Sequence, residues 1–348
     1  MEIGIAFFSA LVLTMYIVFL FEKTNKKHAG TNDIKKLKII VPFKNERHRI
    51  QNLIDDLVLE FARVDNVQVF FVDDNSTDNT SDFIEAYLTE KDLHFLILPS
   101  FGKGKKSAIE TACQFSSLSD YVLTLDADVR LPKGYANTIL KLHPNNGLTV
   151  LSIDYPKPKT FLQSIIKIES LFQKPMFTGN AFASRPSLCS GAHLLYPTKL
   201  FEHVQPYANN KQISSGDDMF FLDACLTNKQ LIDYQPVSVL TEYPLGWINM
   251  LNQRKRWLSK SSALKSKYYL RSVVLFFILL TTPILLFVVN PVYGVVYLVI
   301  RAIAEILFFI RQRSFAGRIV FSLPFFWLWQ YCMPLLYIFG RRQDEQTW

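Results

Sequence analysis

Four apolar stretches constrain this chain more than any other feature. Ile3–Phe21, Ser272–Val289 and Ile319–Gly340 carry no Asp, Glu, Lys or Arg, and Val292–Ile310 carries only Arg301 and Glu305. A membrane-spanning helix needs about 20 mostly apolar residues, so Ile3–Phe21, Ser272–Val289 and Val292–Ile310 are expected to span. A signal peptide is the rival reading of the first. Only Glu2 precedes it, with no basic residue, and no small-x-small cleavage pattern comes before the charged segment that follows. We therefore read it as an anchor. The fourth stretch holds Pro324 and Pro334 and leaves two readings open, a span or a broken re-entrant or interfacial hairpin.

These stretches explain an otherwise contradictory composition. Mean hydropathy is +0.14, yet the chain has 38 Lys+Arg and 30 Asp+Glu, a net charge of +8 and 20% charged residues. A soluble domain has about 25% charged residues, so apolar and charged residues must be segregated. A disordered tail, a collagen-like chain, a disulfide scaffold and a wholly soluble enzyme fit poorly. Lys23, Lys26, Lys27, Lys35, Lys36 and Lys38 follow the first stretch, and Arg254, Lys255, Arg256, Lys260, Lys265, Lys267 and Arg271 precede the second. By the positive-inside rule these flanks put the long middle region in the cytoplasm. Arg311, Arg313 and Arg318 put the next loop inside as well, which makes Asn290-Pro291 an outer turn. A basic balance placed beside spans points to anionic headgroups and away from nucleic acid. Cys113, Cys189, Cys225 and Cys332 show neither metal spacing nor pairing and suit a reducing compartment.

Between residues 36 and 250, apolar runs alternate with amphipathic ones. Leu37–Pro42, Val67–Val72, Phe95–Leu98 and Tyr121–Leu125 read as strands, and Glu46–Phe61, Ser76–Leu88, Lys103–Phe115 and Leu162–Phe172 as helices. This alternation implies βαβ units and a mostly parallel α/β sheet, whose ligands bind beyond the carboxyl ends of the strands. Asp73-Asp74 and Asp126-Ala127-Asp128 stand just there. Asp73-Asp74 equally suits a turn or helix cap. Asp126 and Asp128, at alternate positions, suit two oxygens on one Mg²⁺ or Mn²⁺.

The segments Val41–Glu46, Val72–Asp78, Gly102–Lys105, Asp126–Asp128, Gly216–Asp218 and Gln253–Trp257 together resemble family 2 glycosyltransferases with the GT-A fold. The last matches the Gln-x-x-Arg-Trp motif of membrane-embedded members such as cellulose, chitin and hyaluronan synthases and ceramide glucosyltransferase. The resemblance implies a Rossmann-like cytoplasmic domain with flanking transmembrane helices. Residues 1–22 would form the N-terminal helix, 36–250 the GT-A domain, 251–271 a basic interfacial segment and 272–340 a C-terminal membrane region of two or three helices.

The resemblance also assigns roles. Pro42 and Glu46 would line the nucleotide pocket, Asp73 or Asp74 would read uracil, and Lys105 would lie near the donor. Asp126 and Asp128 would hold the metal, Mg²⁺ or Mn²⁺, and the donor diphosphate. Asp218 would be the general base, with Asp217 beside it where the family has Glu. Arg256 would contact the diphosphate and Trp257 stack on the acceptor, with Gln253 in the same motif. Taken alone, Asp217-Asp218 also reads as an acidic helix start, and Gln253–Trp257 as a membrane-surface segment. The expected partners are a nucleotide sugar (UDP-linked by resemblance), a lipid-linked or cell-surface glycan acceptor and the bilayer, with an oligomer possible and no nucleic acid. The expected location is an inner or plasma membrane of bacterial type. A processive polysaccharide synthase, a polyprenyl-phosphate sugar transferase and a catalytically silent scaffold are the alternatives. Outside these motifs, His193 reads as a strand residue and Arg301 with Glu305 as a packing pair. Phe172, Phe177 and Phe182 read as core, with a lipid path as the second reading.

Overall fold

The computed structural model describes residues 2–21, 30, 32–115, 120–179, 185–213, 215–259, 263–264, 267–312 and 317–340. The expectations for Lys23, Lys26, Lys27, Phe182, Lys260, Lys265 and Arg313 lie outside the described residues.

An eight-stranded sheet organises the middle of the chain, in the order β3-β2-β1-β4-β7-β6-β8-β5. Strands β1 (Leu37–Phe43), β2 (Val67–Asp73), β3 (Phe95–Pro99) and β4 (Tyr121–Leu125) are mutually parallel. β1 and β4 are buried along their whole length, as continuous apolar runs covered on both faces should be. Helix α2 (Ile50–Phe61) packs its stripe Leu53, Ile54, Leu57 and Phe61 on one face, joined there by α3 (Thr80–Leu88) and α5 (Tyr135–Leu140). Helices α4 (Lys105–Gln114), α7 (Thr198–Val204) and α8 (Asp217–Thr227) cover the other.

The second half of the sheet departs from the expected parallel pattern. β7 (His193–Pro197) runs antiparallel to both β4 and β6 (Leu148–Asp154). β8 (Ile232–Thr241) is parallel to β6, and the short β5 (Val129–Arg130) is antiparallel to β8. The fold is therefore a mixed α/β sheet, Rossmann-like in its first four strands. This reversal positions the site, because Leu125 pairs with His193 and the amino end of β7 adjoins the carboxyl end of β4. The turns after β1 and β2 are also longer than the helical periodicity suggests. Asn45, Asn75 and Asn79 adopt left-handed backbone at φ 55°, 60° and 58°, a conformation Asn tolerates well. Helices α2 and α3 consequently start four residues later than expected.

A third core lies outside the sheet. It joins α1 (Glu2–Phe21), α6 (Phe161–Thr178), α9 (Gly246–Ser259), α10 (Lys267–Val289), α11 (Pro291–Arg311) and α12 (Gly317–Gly340). A capping box between Thr160 and Gln163 starts α6, and Asn290 caps α11, whose first residue is Pro291, the position where Pro is most at home. α12 runs unbroken through Pro324 and Pro334, so the hairpin reading is not borne out. Among the described residues one helix, Pro291–Arg311, is long and apolar enough to cross a membrane, and Phe7–Phe21 and Val273–Val289 are shorter apolar stretches. Three spans were expected, and among the described residues one is both long and apolar enough. Within α11, Arg301 and Glu305 pair at 2.8 Å and are buried, facing protein as expected.

Candidate active site

Strand order alone picks the site. From β1 the chain moves outward to β2 and β3, then returns to β4 on the other side of β1, which makes the β1/β4 boundary a topological switch point. Pro42 and Glu46 come from one side of it, and Asp126 and Asp128 from the other. All four line a cavity of about 1360 Å³ that also takes in Lys105, Asp217, Asp218, Gln253, Arg256 and Trp257. Ten of the twelve site residues read from the sequence thus meet at one cavity.

Lys105 is central to its polar end. Gly104, at φ 91°, opens α4, and Lys105 Nζ lies 2.6 Å from Asp126 Oδ1 and 2.9 Å from Asp217 Oδ2. Burial alone would push this ammonium down, but the two carboxylates outweigh it and hold the group above its ordinary value. Asp217 reaches Lys105 because Gly216, at φ 94°, turns the chain into α8. Gly191 is needed there for a different reason. A Cβ at this position would sit well inside contact distance of Asp217 Oδ2 and 2.8 Å from Lys105 Nζ. Asp218, the next residue of α8, accepts from the Met219 N–H at 2.7 Å.

Asp128 titrates unusually. Burial, and then the Asp126 carboxylate, push it up to about 7, with Glu46 and Glu242 adding to the rise and Arg49 opposing it. Burial likewise raises Glu46, against Arg49, which donates to it at 2.6 and 2.8 Å. Two crowded carboxylates are a donor set for a hard divalent cation. Among the described residues no three His, Cys, Asp or Glu side chains are grouped to hold a metal. Mg²⁺ commonly takes only one or two carboxylates and fills its shell with substrate phosphate and water, so the residues present fit that mode.

The remaining two site residues are placed differently. Asp73 accepts from Ser76 N–H at 2.8 Å and Ser81 Oγ at 2.7 Å. Asp74 is fully buried, accepts from Gly104 N–H at 2.7 Å and lies 3.4 Å from Lys44 Nζ. Both are built into the turns that hold β2 and α4, and neither lines the cavity.

Helix α9 presents Gln253, Arg256 and Trp257 at i, i+3 and i+4, hence on one face, toward the cavity. Arg254 is oriented by a residue that sequence reasoning did not single out. Its guanidinium is buried and pairs with Glu169 of α6 at 2.8 Å, while lying 4.3 Å from the Trp257 ring. It thus leaves the basic membrane flank to which its position assigned it. Lys38 leaves that flank too, since it is buried in β1 and donates to the Ala112 and Phe115 carbonyls at 2.8 and 2.9 Å. His193, in β7, is buried between Tyr135 Oη at 2.6 Å and the Ser152 carbonyl at 2.8 Å.

An α/β sheet with acidic residues gathered at its switch point places a ligand site beyond the carboxyl ends of its strands. Residues 38–203, just under half of the chain, match the family described as Glycosyl transferase family 2. The fold of the chain is similar over 99% of its length to 98% of the mannosyltransferase PcManGT from Pyrobaculum calidifontis, solved with GDP-Man and Mn²⁺, at TM-score 0.63 and 16% identity. A stretch of 102 residues is 33% identical to undecaprenyl-phosphate 4-deoxy-4-formamido-L-arabinose transferase of Yersinia pestis. That match covers 28% of this chain and 31% of the relative, so the chain matches about a third of the length of this curated relative.

Proposed function

We propose that the chain is a membrane-bound inverting glycosyltransferase that moves a sugar from a nucleotide sugar to a lipid-linked or cell-surface glycan acceptor. The observation that carries this reading is the meeting, at one cavity, of Asp126 and Asp128 with Asp217, Asp218, Gln253, Arg256 and Trp257, residues far apart in sequence.

In this reading Asp126 and Asp128 would hold Mg²⁺ or Mn²⁺. When bound, such an ion offsets the charge that builds on the departing nucleoside diphosphate. Lys105 and Arg256 supply further positive charge on the donor side, and Pro42 and Glu46 flank the nucleotide. Asp73 and Asp74, which the resemblance makes base contacts, do not line the cavity, and in this reading they position the turns beside the nucleotide. Asp218 takes the proton from the acceptor oxygen as that oxygen attacks the anomeric carbon, so one displacement inverts the centre and no enzyme nucleophile is used. Trp257 offers an aromatic face to a sugar, with Gln253 beside it. The UDP preference rests on family resemblance. The neighbour of the same fold was solved with GDP-Man and Mn²⁺, so both nucleotides belong in the test.

The proposed organisation is an N-terminal membrane helix (1–22), a catalytic domain (36–250), a basic interfacial segment (251–271) and a C-terminal membrane region (272–340), with the catalytic domain in the cytoplasm. Apolar α11 and the exposed Leu245, Trp247 and Ile248 at the start of α9 support contact with a bilayer. A second reading, sugar transfer to a polyprenyl phosphate, draws support from the Yersinia relative.

The test is release of nucleoside diphosphate by the full chain in detergent, with Mn²⁺ or Mg²⁺, from UDP-Glc, UDP-Gal, UDP-GlcNAc and GDP-Man. Release from one donor, abolished by EDTA, is the expected result. Binding of none of them would overturn the reading.

A further inference from the structure

The cavity is larger than a nucleotide sugar needs, and its two ends differ in chemistry. Small-ligand sites usually enclose about 300–1,000 Å³, against about 1360 Å³ here. On its helical side the cavity is lined by Phe19 of α1, Phe172 of α6, Leu275 and Leu279 of α10, and Phe326 and Trp329 of α12. Among the described lining residues that α1, α6, α10, α11 and α12 contribute, the charged ones are Glu169, Lys174 and Arg301; Glu169 pairs with Arg254 and Arg301 with Glu305, each at 2.8 Å. A polar, anionic donor has no use for such a wall, and an apolar space of this kind is poorly filled by water.

We infer that this apolar arm holds the hydrocarbon chain of the acceptor, a membrane lipid whose head group presents a hydroxyl to Asp218. The inference rests on the glycosyltransferase reading and narrows its acceptor. Two observations select a hydroxyl over a phosphate. A phosphate oxygen is already ionised and needs no base, whereas a hydroxyl must lose its proton, and Asp218 stands at the cavity to take it. Acidic groups also crowd the reacting end, where Glu46, Asp126, Asp128, Asp217, Asp218 and Glu242 outnumber Arg49, Lys105 and Arg256. The donor diphosphate adds further negative charge, so even with a divalent ion on Asp126 and Asp128 the reacting end stays net negative and a second anion would meet repulsion. The step balances: the lipid oxygen bonds to the anomeric carbon, the bond to the diphosphate oxygen breaks, the nucleoside diphosphate leaves, and the proton rests on Asp218.

The test uses the full chain in phosphatidylcholine nanodiscs with an octadecanol carrying a mid-chain diazirine. After irradiation, labelled residues are mapped by mass spectrometry. Label is expected on the buried cavity residues Leu275, Leu279 and Phe326, reduced at least fivefold by excess octadecanol and less by octadecyl phosphate. Leu279→Trp should remove at least nine-tenths of that label while UDP-sugar affinity, read by calorimetry, stays within twofold. Label confined to the exposed Ile284, Leu285 and Leu328 would overturn the arm as a chain site. Octadecyl phosphate competing better than the alcohol would overturn the hydroxyl assignment. A preparation that takes the label in the arm but binds no nucleotide sugar would instead sink the glycosyltransferase reading.

Discussion

Lys105 occupies a position that carbon elsewhere would spoil. Its ammonium bridges Asp126 and Asp217, and the bridge fits only because residue 191 has no Cβ. Gly191→Ala should therefore push Lys105 and Asp217 apart and lower turnover by about 10²-fold, the scale of a misplacement of about 1 Å. Steady-state release of nucleoside diphosphate, with circular dichroism to confirm the fold, checks it. His193 leads to a pH prediction. Burial pulls its pKa down to about 4 from an ordinary 6.5. Neutral imidazole donates to the Ser152 carbonyl and accepts from Tyr135, whereas imidazolium has no acceptor to offer. The unfolded chain thus binds more protons than the folded one between these values. Stability should be complete above about pH 6.5 and fall toward pH 4, by about 3 kcal/mol at most from this residue. Melting temperatures in detergent across that range should flatten in His193→Gln. The carboxylates were legible in the sequence because the motifs sit at strand ends. Gly191's contact with Asp217 was not, since it depends on two segments 26 positions apart in the numbering meeting in space.

At the scale of elements, the first four strands were legible from apolar runs and their spacing. The direction of β7 was not. Strand polarity is settled by which neighbour the chain returns to, and His193–Pro197 carries no local mark of running antiparallel. The turns after β1 and β2 also lengthened where Asn residues took left-handed backbone and Asp73 and Asp78 accepted backbone N–H groups. Helix α9 illustrates the same limit. Its motif was visible, but the anchor holding it was not, because Glu169 lies on α6. Removing one member of a buried ion pair costs about 3–5 kcal/mol, while replacing both is far milder. Arg254→Met should thus lower the melting temperature sharply, and Arg254→Met with Glu169→Leu should recover much of the loss. If Arg254 serves to orient Gln253, Arg256 and Trp257, the double variant should remain well below wild type in turnover. Equal turnover in the double variant and wild type would reduce Arg254 to a packing role.

For the whole molecule, the segregation of apolar from charged residues was visible at once, and it sorts into a sheet domain and a separate helical core. The proposed orientation makes the catalytic domain cytoplasmic. Protease added to intact cells should leave residues 36–250 uncut, whereas the same protease on inverted vesicles should cut them. The central claim is that the carboxylates of this cavity perform glycosyl transfer. The most direct measurement compares wild type with Asp218→Asn for acceptor-dependent release of nucleoside diphosphate, alongside donor affinity by calorimetry. The account predicts a loss of roughly 10²–10⁴-fold in turnover with donor affinity within twofold. Turnover in Asp218→Asn equal to that of wild type would contradict it.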